Sequence, residues 1–161
     1  MREECTLPLG GTEMKRNLIS LLVLGSLALA QADGAKLYAQ CVGCHQANGQ
    51  GLPGAFPPLA GHVSEILNLK GGREYLILVL LNGLQGQIEV KGMKYSGVMP
   101  AYGGLKDEEI AALLNHISTA WGDNKKVKEF KTFTAEEVKA LRTKKLTAQQ
   151  VLEQRKKLGL K

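Results

Sequence analysis

Five residues, Cys41-Val42-Gly43-Cys44-His45, constrain this chain more than any others. Two thiols three positions apart sit about one helical turn from each other, and an imidazole follows at once. Four chemistries use cysteines at this spacing. A small disulfide loop is the plainest, because oxidising compartments favour it. A redox-active C-x-x-C normally opens a helix after a strand, within an alternating strand and helix pattern that is missing here. A zinc site needs a fourth ligand and usually a second ligand pair, neither present at suitable spacing. The fourth chemistry is covalent haem attachment, whose signature is C-x-x-C-H. Two thiols add to the vinyl groups on one porphyrin edge, and the next residue aims its imidazole at the iron. Neutral imidazole is a good iron ligand. Cys41 and Cys44 therefore read as the tethers of one covalently bound haem c, and His45 as its proximal ligand.

Attachment of this kind requires export, and the start of the chain reads as an export signal. Lys15 and Arg16 precede the apolar run LISLLVLGSLALA, which ends in the A-L-A of Ala28 to Ala30, so cleavage is expected before Gln31. The run of about 13 residues is shorter than the roughly 20 needed for a spanning helix, so the mature chain is expected to be periplasmic and without a transmembrane segment. An uncleaved anchor is the alternative. Met14 begins a complete signal by itself. Residues 1–13 thus read as a misassigned start, 14–30 as a signal peptide, 31–122 as the haem-binding domain and 123–161 as an appendage. Processing would remove Cys5 and leave Cys41 and Cys44 as the only cysteines.

A haem iron with one protein ligand is either open to substrate or closed by a second ligand, and this choice decides the function. The mature chain offers Met93 and Met99. Met93 lies in QIEVKGMKY, where Ile88, Val90, Met93 and Tyr95 alternate around a Lys91-Gly92 turn. That pattern predicts a short hairpin over about 86–96 with Met93 on its inward face. Met99 lies in SGVMPAYGG, irregular chain between Gly97 and Gly103 that Pro100 stiffens. Met99 is therefore the preferred sixth ligand, with Met93 its competitor. A thioether opposite imidazole favours ferrous iron and raises the reduction potential. It also fills the coordination sphere, which points to outer-sphere transfer of single electrons.

The rest of the chain predicts helices. Asp33 is placed to cap a first helix running through His45, with Gly34 allowing another helix to approach. Its natural partner follows Lys106, with Asp107, Glu108 and Glu109 in the first turn and Ile110, Leu113, Leu114, Ile117 and Trp121 at helical spacing. Between them, the apolar residues Tyr75 to Leu81 read as strand or helix by period alone; leucine enrichment and flanking glycines favour helix. Such a helix must be enclosed, by haem on one side and the two crossing helices on the other. Aromatic residues make up only 5% of the chain, which a large planar cofactor at the centre would explain.

The ordered set CVGCH, GAFPPLAGH, REYLILVLLNGL, GMKYSGVMP and DEEIAALLNHISTAW resembles the class I c-type cytochromes from about Ala32 to Trp121. With its tail included, the chain is most similar to the soluble members of that family in extreme thermophiles that feed a ba-type haem-copper terminal oxidase. The resemblance implies a mostly α fold around one haem, a small antiparallel insertion and a helical C-terminal extension. It also implies that Pro57 supplies the carbonyl for the proximal imidazole, although Pro58 offers a second one, and that Leu59 packs on the haem. The implied role is a soluble monomeric carrier between a quinol-oxidising complex and a terminal oxidase, not an enzyme. A cytochrome subunit of a periplasmic dehydrogenase, and a haem peroxidase or gas sensor with a labile methionine, are the alternatives.

Basicity is confined to the end of the chain. Residues 31–122 hold six Lys or Arg against seven Asp or Glu, while residues 123–161 hold twelve against five. The tail contains two capping boxes, Thr134 with Glu137 and Thr147 with Gln150, each opening a short helix; Gly159 stops the second. It reads as a stabilising clamp with a solvated exterior, and alternatively as a dock for an anionic surface. Nucleic acid is excluded by export and by the lack of an aromatic platform. With so few lysines on the haem domain, contact with the oxidase is expected to be mainly apolar. The haem propionates need cationic partners, for which His62, Arg73, Arg142 and Arg155 are candidates. His116 reads as a surface or core partner.

Overall fold

In the computed structural model, which describes residues 32–161, Asp33 Oδ1 accepts the backbone N–H groups of Ala35 (3.1 Å) and Lys36 (3.3 Å) and starts α1, Gly34–Tyr38. The expectations for residues 1–31, including the signal segment and its cleavage, lie outside the described residues. The single helix expected from Asp33 to His45 is divided. Ala39, Gln40 and Cys41 bond carbonyls three positions back, which tightens the chain, and α2 then spans only Val42–His45. Further on come α3 (Val63–Leu67), α4 (Gly72–Asn82), β1 (Leu84–Val90), β2 (Met93–Met99), α5 (Asp107–Thr119), α6 (Ala135–Arg142) and α7 (Ala148–Lys157).

The crossing of α1 on α5 depends on Gly34. A Cβ there would lie 2.2 Å from the Ala112 carbonyl oxygen, so any side chain would force the helices apart. On α5, the acidic first turn complements the helix dipole, and Glu109 accepts the Lys106 N–H at 2.8 Å. Ile110, Leu113, Leu114 and Ile117 are buried as the spacing predicts. Trp121 lies beyond the helix end, where it stacks edge-on with Tyr38 and faces Gly49. His116 packs its ring against Tyr38, so it is a core partner.

The ambiguous run Tyr75 to Leu81 is helical, and every residue of it is buried in α4. Its enclosure differs from expectation. Besides α3 and α5, the tail helices α6 and α7 pack on α4, whereas α1 packs chiefly on α5. A helix apolar all round needs neighbours all round. The tail provides them.

The hairpin is longer than the predicted 86–96. Its ladder runs from Val90↔Met93 at the turn to Leu84↔Met99 at the open end. Lys91 (φ 50°) and Gly92 (φ 79°) form the expected two-residue turn. Met99 is thus the last residue of a strand, and not part of an irregular loop. Ile88, Val90 and Tyr95 do face inward, onto Leu152 of α7. Met93, the ladder partner of Val90, shares that face but is exposed at its turn end, where its Sδ accepts the Gly54 N–H at 3.0 Å.

The tail is tied down along its length. Asp123 is fully buried and accepts the N–H groups of Gly61 (2.8 Å) and Ser64 (3.1 Å) as well as the Ser64 hydroxyl. Asn115 exchanges two bonds with the Phe133 backbone, at 3.0 and 2.6 Å. Both capping boxes form, with Thr134 N–H to Glu137 at 2.9 Å and Thr147 N–H to Gln150 at 2.8 Å. Val138, Val151 and Leu152 are buried, and Gly159 (φ 78°) ends α7.

Candidate haem site

The residues of the opening motif meet the end of β2 in one cavity. A space of about 300 Å³ is lined by Cys41, Cys44 and His45 from α2 and the residue before it, by Ala55, Phe56 and Pro57 from the following loop, and by Met99 and Tyr102. A smaller space of about 60 Å³ shares Cys41, His45 and Met99 and continues to Leu59, Leu76, Val79 and Leu114. Two thiols, an imidazole and a thioether therefore share an apolar chamber. Met93 lines neither space.

His45 is oriented from behind. Its Nδ1 donates to the Pro57 carbonyl oxygen at 2.9 Å, which leaves Nε2 free to bind a metal; of the two adjacent prolines, Pro57 is the one engaged. Burial lowers the pKa of the imidazole, and the bond to Pro57 partly opposes this. The ring is thus neutral at physiological pH, the form that binds iron. Cys41 and Cys44 are unpaired thiols. Burial pushes the Cys41 thiol up, with Cys44 adding to the effect, which is opposite to the depressed value that redox-active C-x-x-C thiols need. No group of three or more His, Cys, Asp and Glu side chains among the described residues converges as a metal site, so the zinc reading lacks its ligands.

Outside the lining of the chamber lies a buried polar cluster around one cation. The Arg155 side chain is 2% exposed, and among the described residues no Asp or Glu side chain pairs with it. Its Nε and Nη2 donate to the main-chain oxygens of Lys161 (2.8 Å) and Glu89 (3.0 Å), and both Nη atoms lie 3.4 Å from His62 Nε2. Burial lowers the His62 pKa, the bond from Nδ1 to Glu65 (2.6 Å) opposes this, and Arg155 lowers it further. The Tyr75 phenol is also raised by burial, with Arg155 opposing.

The other two arginines considered for propionates have different work. Arg73 forks onto Glu137 at 2.6 and 2.7 Å, donates to the Lys131 and Thr132 carbonyls, and lies 3.9 Å over the Phe133 ring. Arg142 pairs with Asp107 at 2.7 Å and donates to the Gly103 and Leu105 carbonyls. Each guanidinium is paired with a carboxylate and fastens the tail to the body. Charge alone could not separate these roles.

The family model for cytochrome c matches residues 31–121. This chain belongs to the cytochrome c family. It is 79% identical over 148 residues to a cytochrome c-552 of Thermus thermophilus, a match that takes in 92% of this chain and all of the relative. A second Thermus thermophilus cytochrome c-552 is 81% identical over 131 residues, covering 81% of this chain and again the whole relative. The cytochrome c subunit of a quinone-dependent alcohol dehydrogenase from Gluconacetobacter polyoxogenes is 33% identical over 123 residues, 74% of this chain but only 24% of the relative. The class I cytochrome fold, one covalently bound haem c and electron transfer as the function follow from this membership. The chamber fits that group by its donors.

Proposed function

We propose that the chain is an exported single-electron carrier whose haem is tethered by Cys41 and Cys44 and whose iron is closed by His45 and Met99. One observation carries the reading: His45, with its outer nitrogen occupied by Pro57, and Met99 line the same chamber as both thiols. When bound, haem c supplies a one-electron ferric/ferrous couple. The protein's part would be to keep His45 and Met99 in place as donors and to exclude water with Leu59, Leu76, Val79 and Leu114. A visible spectrum of both redox states tests this. The ferric form should show the far-red sulfur-to-iron band and the ferrous form should bind carbon monoxide poorly. Ready carbon monoxide binding would favour the enzyme or sensor reading.

A finer part of the proposal concerns the buried cluster. Arg155 is the candidate partner for one haem propionate, because it is buried and no Asp or Glu side chain among the described residues pairs with it, and His62 Nε2 steadies the guanidinium. Arg73 and Arg142 have no such role. Replacing His62 by Ala should shift the reduction potential, and an unchanged potential would dismiss it as a partner.

The carrier's donor is a quinol-oxidising complex and its acceptor a terminal haem-copper oxidase. Leu52 (50% exposed), Phe56 (38%), Met93 (41%) and Val98 (67%) support a mainly apolar contact, since Phe56 and Val98 also line the chamber. A low surface charge around the haem makes the encounter insensitive to salt. The likeness to a dehydrogenase subunit supports a second acceptor or donor role, which co-purification with a dehydrogenase would reveal. Export rests on the signal segment. The matched lengths of 148 and 131 residues also equal the spans from Met14 and from Gln31 to Lys161. Mass spectrometry of the purified protein should find Gln31 first.

A further inference from the structure

We propose that Leu152 of α7 is a positioning residue for the sulfur ligand, so that the tail determines how firmly the iron is closed. The inference rests on Met99 being that ligand. An isolated two-stranded hairpin is marginal in water and needs something packed on it. Among the described residues β2 has only β1 as a strand neighbour, and β1 is held by the tail.

Three contacts make that hold. Leu152 is buried with Ile88, Val90 and Tyr95, and Leu84, the partner of Met99 in the ladder, packs on the same group. Leu152 also sits so close over Gly86 that a Cβ at Gly86 would lie 2.6 Å from Leu152 Cδ2; Gly86 has φ 123°, a conformation that only glycine adopts readily. Finally, both backbone groups of Glu89 are used by the tail. Its N–H donates to the Lys161 main-chain oxygen at 2.9 Å, and its carbonyl accepts from Arg155 at 3.0 Å. Among these contacts, Leu152 is the one that touches the hairpin's inner face without lining the haem chamber.

An exogenous ligand reaches ferric iron only after Met99 leaves, so its apparent affinity reports the population of the opened hairpin. In the holoprotein, Leu152→Ala should raise the apparent affinity for imidazole by about tenfold or more, as expected when a local opening becomes that much easier. It should also speed amide hydrogen exchange across residues 93–99. Val138→Ala on α6, which is fully buried but away from the hairpin, should lower the melting temperature without either effect. Should Leu152→Ala fail to accumulate with haem, Leu152→Val is measured in its place, with the same direction at several-fold.

The outcomes are distinct. Unchanged imidazole affinity in the Leu152 variants, with the far-red band present in the parent, overturns the positioning role and leaves Met99 as ligand. An equal rise in Val138→Ala overturns it as well, because general destabilisation would then account for the effect. A parent protein that lacks the band and binds imidazole freely overturns the Met99 reading, and this inference with it.

Discussion

At the scale of single residues, the site consists of side chains held in one protonation state and one direction. His45 is neutral because burial disfavours its charge, and it is aimed because Pro57 occupies Nδ1. Met99→Ala should therefore leave the haem attached through Cys41 and Cys44 yet open one position on the iron. The expected result is loss of the far-red band, a lower reduction potential and tight cyanide binding, all measurable on the purified holoprotein. Arg155→Met, which keeps much of the side-chain volume but removes the buried charge, should shift the potential as well. A change in melting temperature alone would make Arg155 only a structural anchor of Lys161 and Glu89.

Elements are positioned by a few contacts where no substitution fits. Gly34→Ala would push its Cβ into the Ala112 carbonyl and should cost roughly 1–3 kcal/mol or more, read from denaturant unfolding. The Arg73 fork onto Glu137 gives a pH-dependent contact between α4 and α6. The bond from Arg73 lowers the Glu137 pKa below 4.5, so in the interval beneath that value the unfolded chain binds more protons than the folded one. This part of the stability is complete above about 4.5 and is lost as pH falls through the folded value. Glu137→Gln, which can still accept the Thr134 N–H, should flatten the acid limb of a stability curve. Because the pair is partly exposed, the cost at neutral pH should stay under about 1 kcal/mol. The hairpin shows how far elements were legible. Alternation around Lys91-Gly92 revealed its turn, but the ladder reaches Met99 because α7 supports both ends, and α7 lies more than fifty positions later in the chain.

Over the whole molecule, the charge is separated from the redox site. Residues 31–122 carry six basic and seven acidic side chains, against twelve and five in residues 123–161. The apolar side of the tail is used up on α4, α5 and β1, so its lysines are left to solvent. Electron transfer to an oxidase should accordingly fall little between low and moderate ionic strength, whereas a steep fall would show that the tail's charge steers the partner. A chamber between α2, α4, α5 and the hairpin also means that the core is incomplete without its planar group. The haem-free chain, expressed without attachment, should be largely unfolded by circular dichroism.

The sequence alone determined the chemistry: C-V-G-C-H names a covalent haem and proposes its proximal ligand, because those atoms are close along the chain. Capping boxes, the turn and the helix spacing were equally local, and so they were legible. Only the tertiary structure decided that Met99 and not Met93 reaches the chamber, that Arg155 is buried with no Asp or Glu side chain paired to it among the described residues while Arg73 and Arg142 each pair with one, and that α6 and α7 finish enclosing α4. Each of these depends on which distant surfaces meet. Composition and period describe a residue's own element, and they carry no information about the neighbour that folding brings to it.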